Sequence, residues 1–267
     1  MRSRSVGPLL LLSALLFGGG TAALARPVNK PIAYEHDGKQ FEGVLVYDDA
    51  VKAPRPGLLL VPNWMGITEE NLAQAREVAG RQYVIFVADL YGKDVRPKDR
   101  TEAAAAAGAV KGDRALMRAR TKRALEVFLA DAGAKRAGLD PKRVGAIGFC
   151  FGGTAVIELA KTDAALGGVV SFHGGLDAPA KWEGKPRTPI LALHGAEDPA
   201  VAAKDLEAFV ADMRESGADW TLVQFGGAVH SFTDKNANVP GRNMYDARVS
   251  RRAFDMMNSF LVQQFER

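Results

Sequence analysis

Three side chains, far apart in a sequence of 267 residues, have the types and settings that nucleophilic acyl chemistry needs: Cys150, Asp198 and His230. Cys150 stands in Gly148-Phe149-Cys150-Phe151-Gly152-Gly153, directly after the apolar run Val144-Gly145-Ala146-Ile147. Glycines two residues before and two after a nucleophile suit a strained strand-to-helix elbow, because bulkier side chains would collide where the backbone doubles back. The elbow lifts the sulfur clear of the sheet. A helix expected from Gly152 to about Lys161 then points its N-terminal dipole end at the sulfur and favours a thiolate. The amide of Phe151, the next residue, is placed to hold an oxyanion.

A free cysteine with a pKa of about 8.5 is only a few per cent ionised at neutral pH, so an imidazole must take its proton and a carboxylate must steady that imidazole. Asp198 lies in Gly195-Ala196-Glu197-Asp198-Pro199, just past an expected strand at Pro189–His194. His230 lies in Ala228-Val229-His230-Ser231-Phe232, just past another at Trp220–Phe225. Sites in open α/β sheets gather at the carboxyl ends of strands, and nucleophile, acid, histidine is the chain order of α/β-hydrolases. The competing readings are a buried inert thiol, an ordinary turn aspartate and a capping or core histidine. Glu197 is a weaker rival to Asp198 because its side chain should face away. His173 ends a strand on the same edge, either lining a substrate pocket or as a satisfied structural histidine, whereas His36 and His194 read as structural.

The elements that must position these groups alternate strand and helix. Asp37-Gly38 between Ile32–His36 and Gln40–Tyr47 predicts an antiparallel hairpin. Gly57–Val61, Tyr83–Ala88, the strand at 143–149, Gly167–Phe172, Pro189–His194 and Trp220–Phe225 read as buried strands. Helices are expected from Thr68, a capping residue, to about Gly80, and over Thr101–Val110, Arg114–Ala132, Ala202–Ser216 and Met244–Phe265. The fold class is α/β: a mostly parallel central sheet with helices on both faces and an N-terminal antiparallel ribbon.

Composition narrows the class. With 47% apolar and 25% charged residues, the chain can bury one large core. Residues 1–25 read as a secretory signal peptide: Arg2 and Arg4, the apolar Leu9–Phe17, then Ala23-Leu24-Ala25, with cleavage expected before Arg26. One domain is then expected over residues 26–267, periplasmic or secreted, monomeric and free of the membrane after cleavage. The leader holds two of the 35 basic residues and none of the 31 acidic ones, so 33 basic residues face 31 acidic ones in the remainder, a net charge of +2. The basic residues are scattered among acids, so nucleic acid is not an expected partner. His and Asp never occur at metal-ligand spacing and one cysteine offers no paired motif, so no metal and no cofactor are expected. That cysteine has no internal disulfide partner.

Gly148–Gly153, Asp198, His230 and Asp89-Leu90-Tyr91-Gly92 after the second parallel strand together resemble the dienelactone hydrolase family of α/β-hydrolases. The resemblance covers nearly all the chain beyond the leader. It implies an α/β-hydrolase fold and a cofactor-free hydrolase of small esters or lactones, similar to a carboxymethylenebutenolidase. Cys150 would be the nucleophile, Asp198 and His230 would complete the triad, and Tyr91 would lie in the substrate pocket. Trp64, in the loop after Val61, matches the family's second oxyanion donor. Asn63 falls in the pocket where characterised members carry a glutamate that contacts the resting cysteine, and an amide cannot accept a thiol proton as a carboxylate can. Asn63 also reads as a loop residue bonding its own backbone. Arg96, Arg100 and Arg242 lie in loops that could cover the pocket and grip a carboxylate, and the competing and preferred reading is that they are simply solvated. Two other functions fit the same residues: a non-catalytic homologue that keeps the pocket, and a thiol redox sensor built on Cys150.

Overall fold

The computed structural model describes residues 26–177 and 179–267; the leader assigned to residues 1–25 lies outside them. The expected architecture is found. Strands β1 (Pro27–His36), β2 (Lys39–Asp48), β3 (Arg55–Val61), β4 (Val84–Val87), β5 (Leu139–Phe149), β6 (Val169–Phe172), β7 (Ile190–Gly195) and β8 (Trp220–Phe225) form one eight-stranded sheet in the order β1-β2-β4-β3-β5-β6-β7-β8. The pairings from β4 to β8 are parallel, and the β1–β2 ribbon joins β4 antiparallel. Asp37 and Gly38 both take positive φ, 48° and 70°, the turn chemistry that matches the twist of a two-residue hairpin.

Alternation along the central strands builds two cores. Leu59 and Val61 face a core completed by α2 (Arg100–Lys111), α3 (Arg114–Ala130), α5 (Phe151–Ala160) and α6 (Ala203–Ser216). Leu58 and Leu60 face the other, against α1 (Glu69–Ala79) and α7 (Ala247–Phe265). These strands are buried on both faces, which is why they read as continuous apolar runs. Helix starts are set by side-chain caps. Thr68 accepts from the Asn71 amide at 3.2 Å as expected, and Asp99, Asp113 and Asp246 cap α2, α3 and α7.

Three local expectations are corrected. Strand β5 begins at Leu139, four residues ahead of its expected start. A short helix, α4 (Ala132–Arg136), follows α3 because Asp131 breaks the run and caps the next turn, accepting from the Ala134 amide at 2.7 Å. Met244 is not helical: β9 (Asn238–Val239) and β10 (Asn243–Met244) form a small ribbon, and α7 starts only where Asp246 accepts from the Arg248 and Val249 amides, both at 2.9 Å.

The elbow glycines answer to sterics. A Cβ on Gly148 would collide with the Gly152 carbonyl, and a Cβ on Gly152 with the Val61 and Pro62 carbonyls, all backbone atoms that cannot rotate away. Gly152→Ala is therefore expected to destabilise the fold by about 3 kcal/mol, the upper part of the range for overpacking. Gly108→Ala, on exposed α2 with nothing within 4 Å of the added atom, should instead stabilise by about 0.5–1 kcal/mol. Urea titration of both variants checks the opposite signs.

Candidate active site

Cys150 connects β5 to α5 at φ 54° and ψ −115°, a conformation L-residues rarely adopt. Its amide donates to the Phe172 carbonyl at 3.0 Å and to His173 Nδ1 at 3.2 Å, which ties the elbow to the end of the neighbouring strand β6. No side chain caps α5, so the first-turn amides, that of Phe151 among them, have no intrahelical acceptor. The thiol is half-buried.

Asp198 follows β7 in a tight turn, and its side chain is buried while that of Glu197 is exposed. Asp198 Oδ1 accepts from the Ala200 amide at 2.8 Å, and Oδ2 accepts from His230 Nδ1 at 2.7 Å. The backbone of His230 is held in turn by a bridge to Asn243 and by the Met244 amide, which donates to its carbonyl at 3.0 Å. With Nδ1 taken, Nε2 is the ring nitrogen left for the Cys150 thiol, which lies near enough to influence the imidazole's pKa. Burial alone would lower the His230 pKa; the hydrogen bonds to Asp198 and Cys150 and their charges outweigh it and raise the value to about 10. The structure thus brings together the three groups that lie 48 and 32 residues apart.

Around the thiol, Tyr91 links two other expected contributors. Its ring lies 5.4 Å from that of Phe151, and its hydroxyl donates to the Trp64 carbonyl at 2.9 Å. Burial, then the charges of Cys150 and Asp89, push the Tyr91 phenol up, which keeps it a neutral donor. Asp89 builds this corner: Oδ1 accepts from the Tyr91 and Gly92 amides at 2.9 and 3.0 Å, and Oδ2 accepts from Arg96 at 3.1 Å. Arg96 is committed to that carboxylate, Arg100 stacks 5.8 Å from the Trp64 ring centre, and Arg242 is exposed in the β9–β10 turn.

Asn63 is committed to its own loop. Its Oδ1 accepts from the Met65 amide at 3.0 Å and from Asn71 Nδ2 at 2.9 Å, so it spans the loop after β3 and the start of α1. It borders two spaces. A cavity of about 10 Å³ also touches Val61, Tyr91 and Phe151. A much larger one, about 920 Å³, runs between α1 and α7 and reaches Phe149, His173 and Ser231. Tyr91 borders only the former and His173 only the latter, so the expected pocket residues lie on two sides of the sheet edge.

His173 is more deeply engaged than a strand-end histidine suggests. It is buried, takes φ 42°, and its Nε2 lies 2.8 Å from Thr233 Oγ1. Burial, then the neighbouring charges of His230 and His194, drives its pKa well below the ordinary value. Thr233 escaped sequence reading altogether; its only signal was its place three residues after His230. His194 is buried with its pKa lowered by burial, and His36 lies 3.4 Å from Asp37 at the hairpin turn. Among the described residues, no cluster of three His, Cys, Asp or Glu could hold a metal ion, and no helix is long and apolar enough to cross a membrane.

The profile of the dienelactone hydrolase family matches residues 41–265. Among solved structures, the chain is similar to P91, a dienelactone hydrolase-like promiscuous phosphotriesterase from metagenomic libraries, with 32% identity and a TM-score of 0.80 over 89% of this chain and 98% of that one. It is 33% identical over 135 residues to the Caenorhabditis elegans protein K02A2.1, covering 48% of this chain and 84% of that one. It is 32% identical over 120 residues to a Saccharolobus solfataricus protein assigned as a carboxymethylenebutenolidase, covering 45% of this chain and 44% of that one. A match that spans residues 41–265 takes in the whole parallel sheet and every side chain of the site, and the chain therefore belongs to the dienelactone hydrolase family.

Proposed function

We propose that this chain hydrolyses small carboxylic esters or lactones through a thioester intermediate, with Cys150 as nucleophile, His230 as acid and base, and Asp198 as its orienting carboxylate. One observation carries the reading: buried Asp198 holds His230 Nδ1 at 2.7 Å, and the Cys150 thiol, at a strained elbow, lies near enough to help raise that imidazole's pKa. His230 Nε2 holds the thiol proton, and the sulfur lone pair attacks the carbonyl carbon. The carbonyl oxygen becomes an oxyanion facing the amides of Phe151 and Trp64, each donor contributing about 3 kcal/mol where such holes have been dissected. Collapse breaks the carbon–oxygen bond, and the leaving alkoxide takes the proton from His230. Water then gives a proton to His230 and adds to the thioester. The carbon–sulfur bond breaks, and the acid leaves.

Asn63 sets the resting state apart from the family pattern. Its amide is held by Met65 and Asn71 and offers no base, so the thiol is activated by His230 alone. The reading is tested by mixing the protein with p-nitrophenyl acetate and quenching in acid within the first turnovers. A burst of nitrophenolate and an acetyl group on the peptide carrying Cys150 are expected. Steady turnover with Cys150 unmodified at every quench time would overturn it.

A further inference from the structure

His173 is a buried imidazole that the proposed reaction does not use, and it is held from both ends. Nδ1 faces the Cys150 amide at 3.2 Å, and Nε2 faces Thr233 Oγ1 at 2.8 Å. A backbone N–H can only donate, so Nδ1 must be the bare nitrogen. The ring, kept neutral by its burial, therefore carries its proton on Nε2 and donates it to the Thr233 hydroxyl. Thr233 thereby selects the tautomer that can hold the elbow.

The backbone around this ring is unusual in a way that calls for such a hold. Among the described residues only four that are not glycine take positive φ, and three of them meet here: Cys150 at 54°, His173 at 42° and Ser231 at 59°. Conformations of this kind are unfavourable for residues with a side chain and persist only where the surroundings over-determine them. The His173 ring touches the segments of the other two. It bonds the Cys150 amide, lies edge-on to His230 with centroids 5.2 Å apart, and bonds Thr233 two residues beyond Ser231. A second edge contact, 5.0 Å to Phe232, closes the loop onto it.

We infer that His173 is a positioning residue: anchored by Thr233, it holds the Cys150 amide and so aims the thiol at His230, joining the elbow to the loop that carries the histidine. This rests on the thiol chemistry proposed above, but its test does not depend on turnover. Nitrogen-15 correlation spectra of the histidine side chains should show His173 protonated on Nε2, bare on Nδ1, and not titrating between about pH 5 and 8, where an ordinary histidine would. Thr233→Val should lower kcat and the rate of Cys150 alkylation by iodoacetamide alike, by about tenfold, the worth of one hydrogen bond to a positioned group. KM should stay put. Thr233→Ser, which keeps the hydroxyl, should restore both rates. His173→Asn, whose carboxamide oxygen can replace Nδ1 as acceptor, should lose less than His173→Phe, which has no acceptor.

A proton on Nδ1 would overturn the inference. So would a raised KM with kcat and alkylation intact, which is the signature of a residue that touches substrate. A lowered melting temperature with both rates intact would do the same, since it marks a purely structural role. If Cys150→Ala hydrolysed esters as fast as the wild type, the thiol mechanism proposed above would fall, while the tautomer and the alkylation rates would still judge His173.

Discussion

Cys150→Ala is expected to lower kcat for ester hydrolysis by at least about 10⁴-fold, to the level that oxyanion binding alone supports, because removal of a covalent nucleophile leaves only that residue of rate. The variant should fold. Cys150 is half-buried, and the alanine fits the same elbow without the sulfur. The change has a second, independent signature at His230. Part of what raises that imidazole to about pH 10 is the hydrogen bond and charge of Cys150, so its titration should move downward in the variant while Asp198 still holds Nδ1. Cys150→Ser should fall between the two, because a hydroxyl is far harder to ionise than a thiol and the imidazole must then remove its proton during attack. Stopped assays with p-nitrophenyl acetate, with the protein concentration set by absorbance, read all three. Equal rates for wild type and Cys150→Ala would remove the covalent mechanism.

Asp198→Asn should cost almost as much, about 10³- to 10⁴-fold in kcat, without displacing the ring. The buried carboxylate accepts from His230 Nδ1 at 2.7 Å, whereas an amide can turn its NH₂ toward that nitrogen. The imidazole proton would then sit on Nε2, presenting a donor to the thiol where a base is needed. The pH profile follows from the same contact. His230 is raised to about 10, so its proton is held below that pH and lost above it. With an alkyl ester, whose alkoxide must be protonated to leave, kcat should fall as pH rises through about 10. In Asp198→Asn the support from the carboxylate is gone, and that alkaline limb should shift to lower pH. An unshifted limb would mean that another group sets it.

The elbow was legible in the sequence because its cause is local. Gly148 and Gly152 stand where any Cβ meets backbone carbonyls, and that requirement is written within five residues. The strands were legible because runs such as Leu58-Leu59-Leu60-Val61 are buried on both faces, so no polar residue interrupts them. Their carboxyl ends in turn located Asp198 and His230. Short elements were less so: α4 and the β9–β10 ribbon are too brief for any periodicity, and only caps and bridges define them.

What only tertiary structure decided is which way each rim side chain points. Asn63, Tyr91 and His173 all follow strand ends, yet Tyr91 packs on Phe151 and bonds Trp64 while His173 turns toward the loop of His230 and Thr233 and Asn63 folds back on its own loop. A buried strand has apolar residues on both faces, so its pattern does not say which face a residue beyond its end will join. The positive φ of His173 and Ser231 runs against local preference and is imposed by neighbours distant in the chain. By itself, then, the sequence determined the sheet and its elbow and singled out Cys150, Asp198 and His230 as the candidates for the proposed chemistry, since each follows from sterics or burial within one segment. The pairing of His173 with Cys150 and Thr233, and the faces on which the cavities open, emerged only when segments 23 and 60 residues apart were packed together.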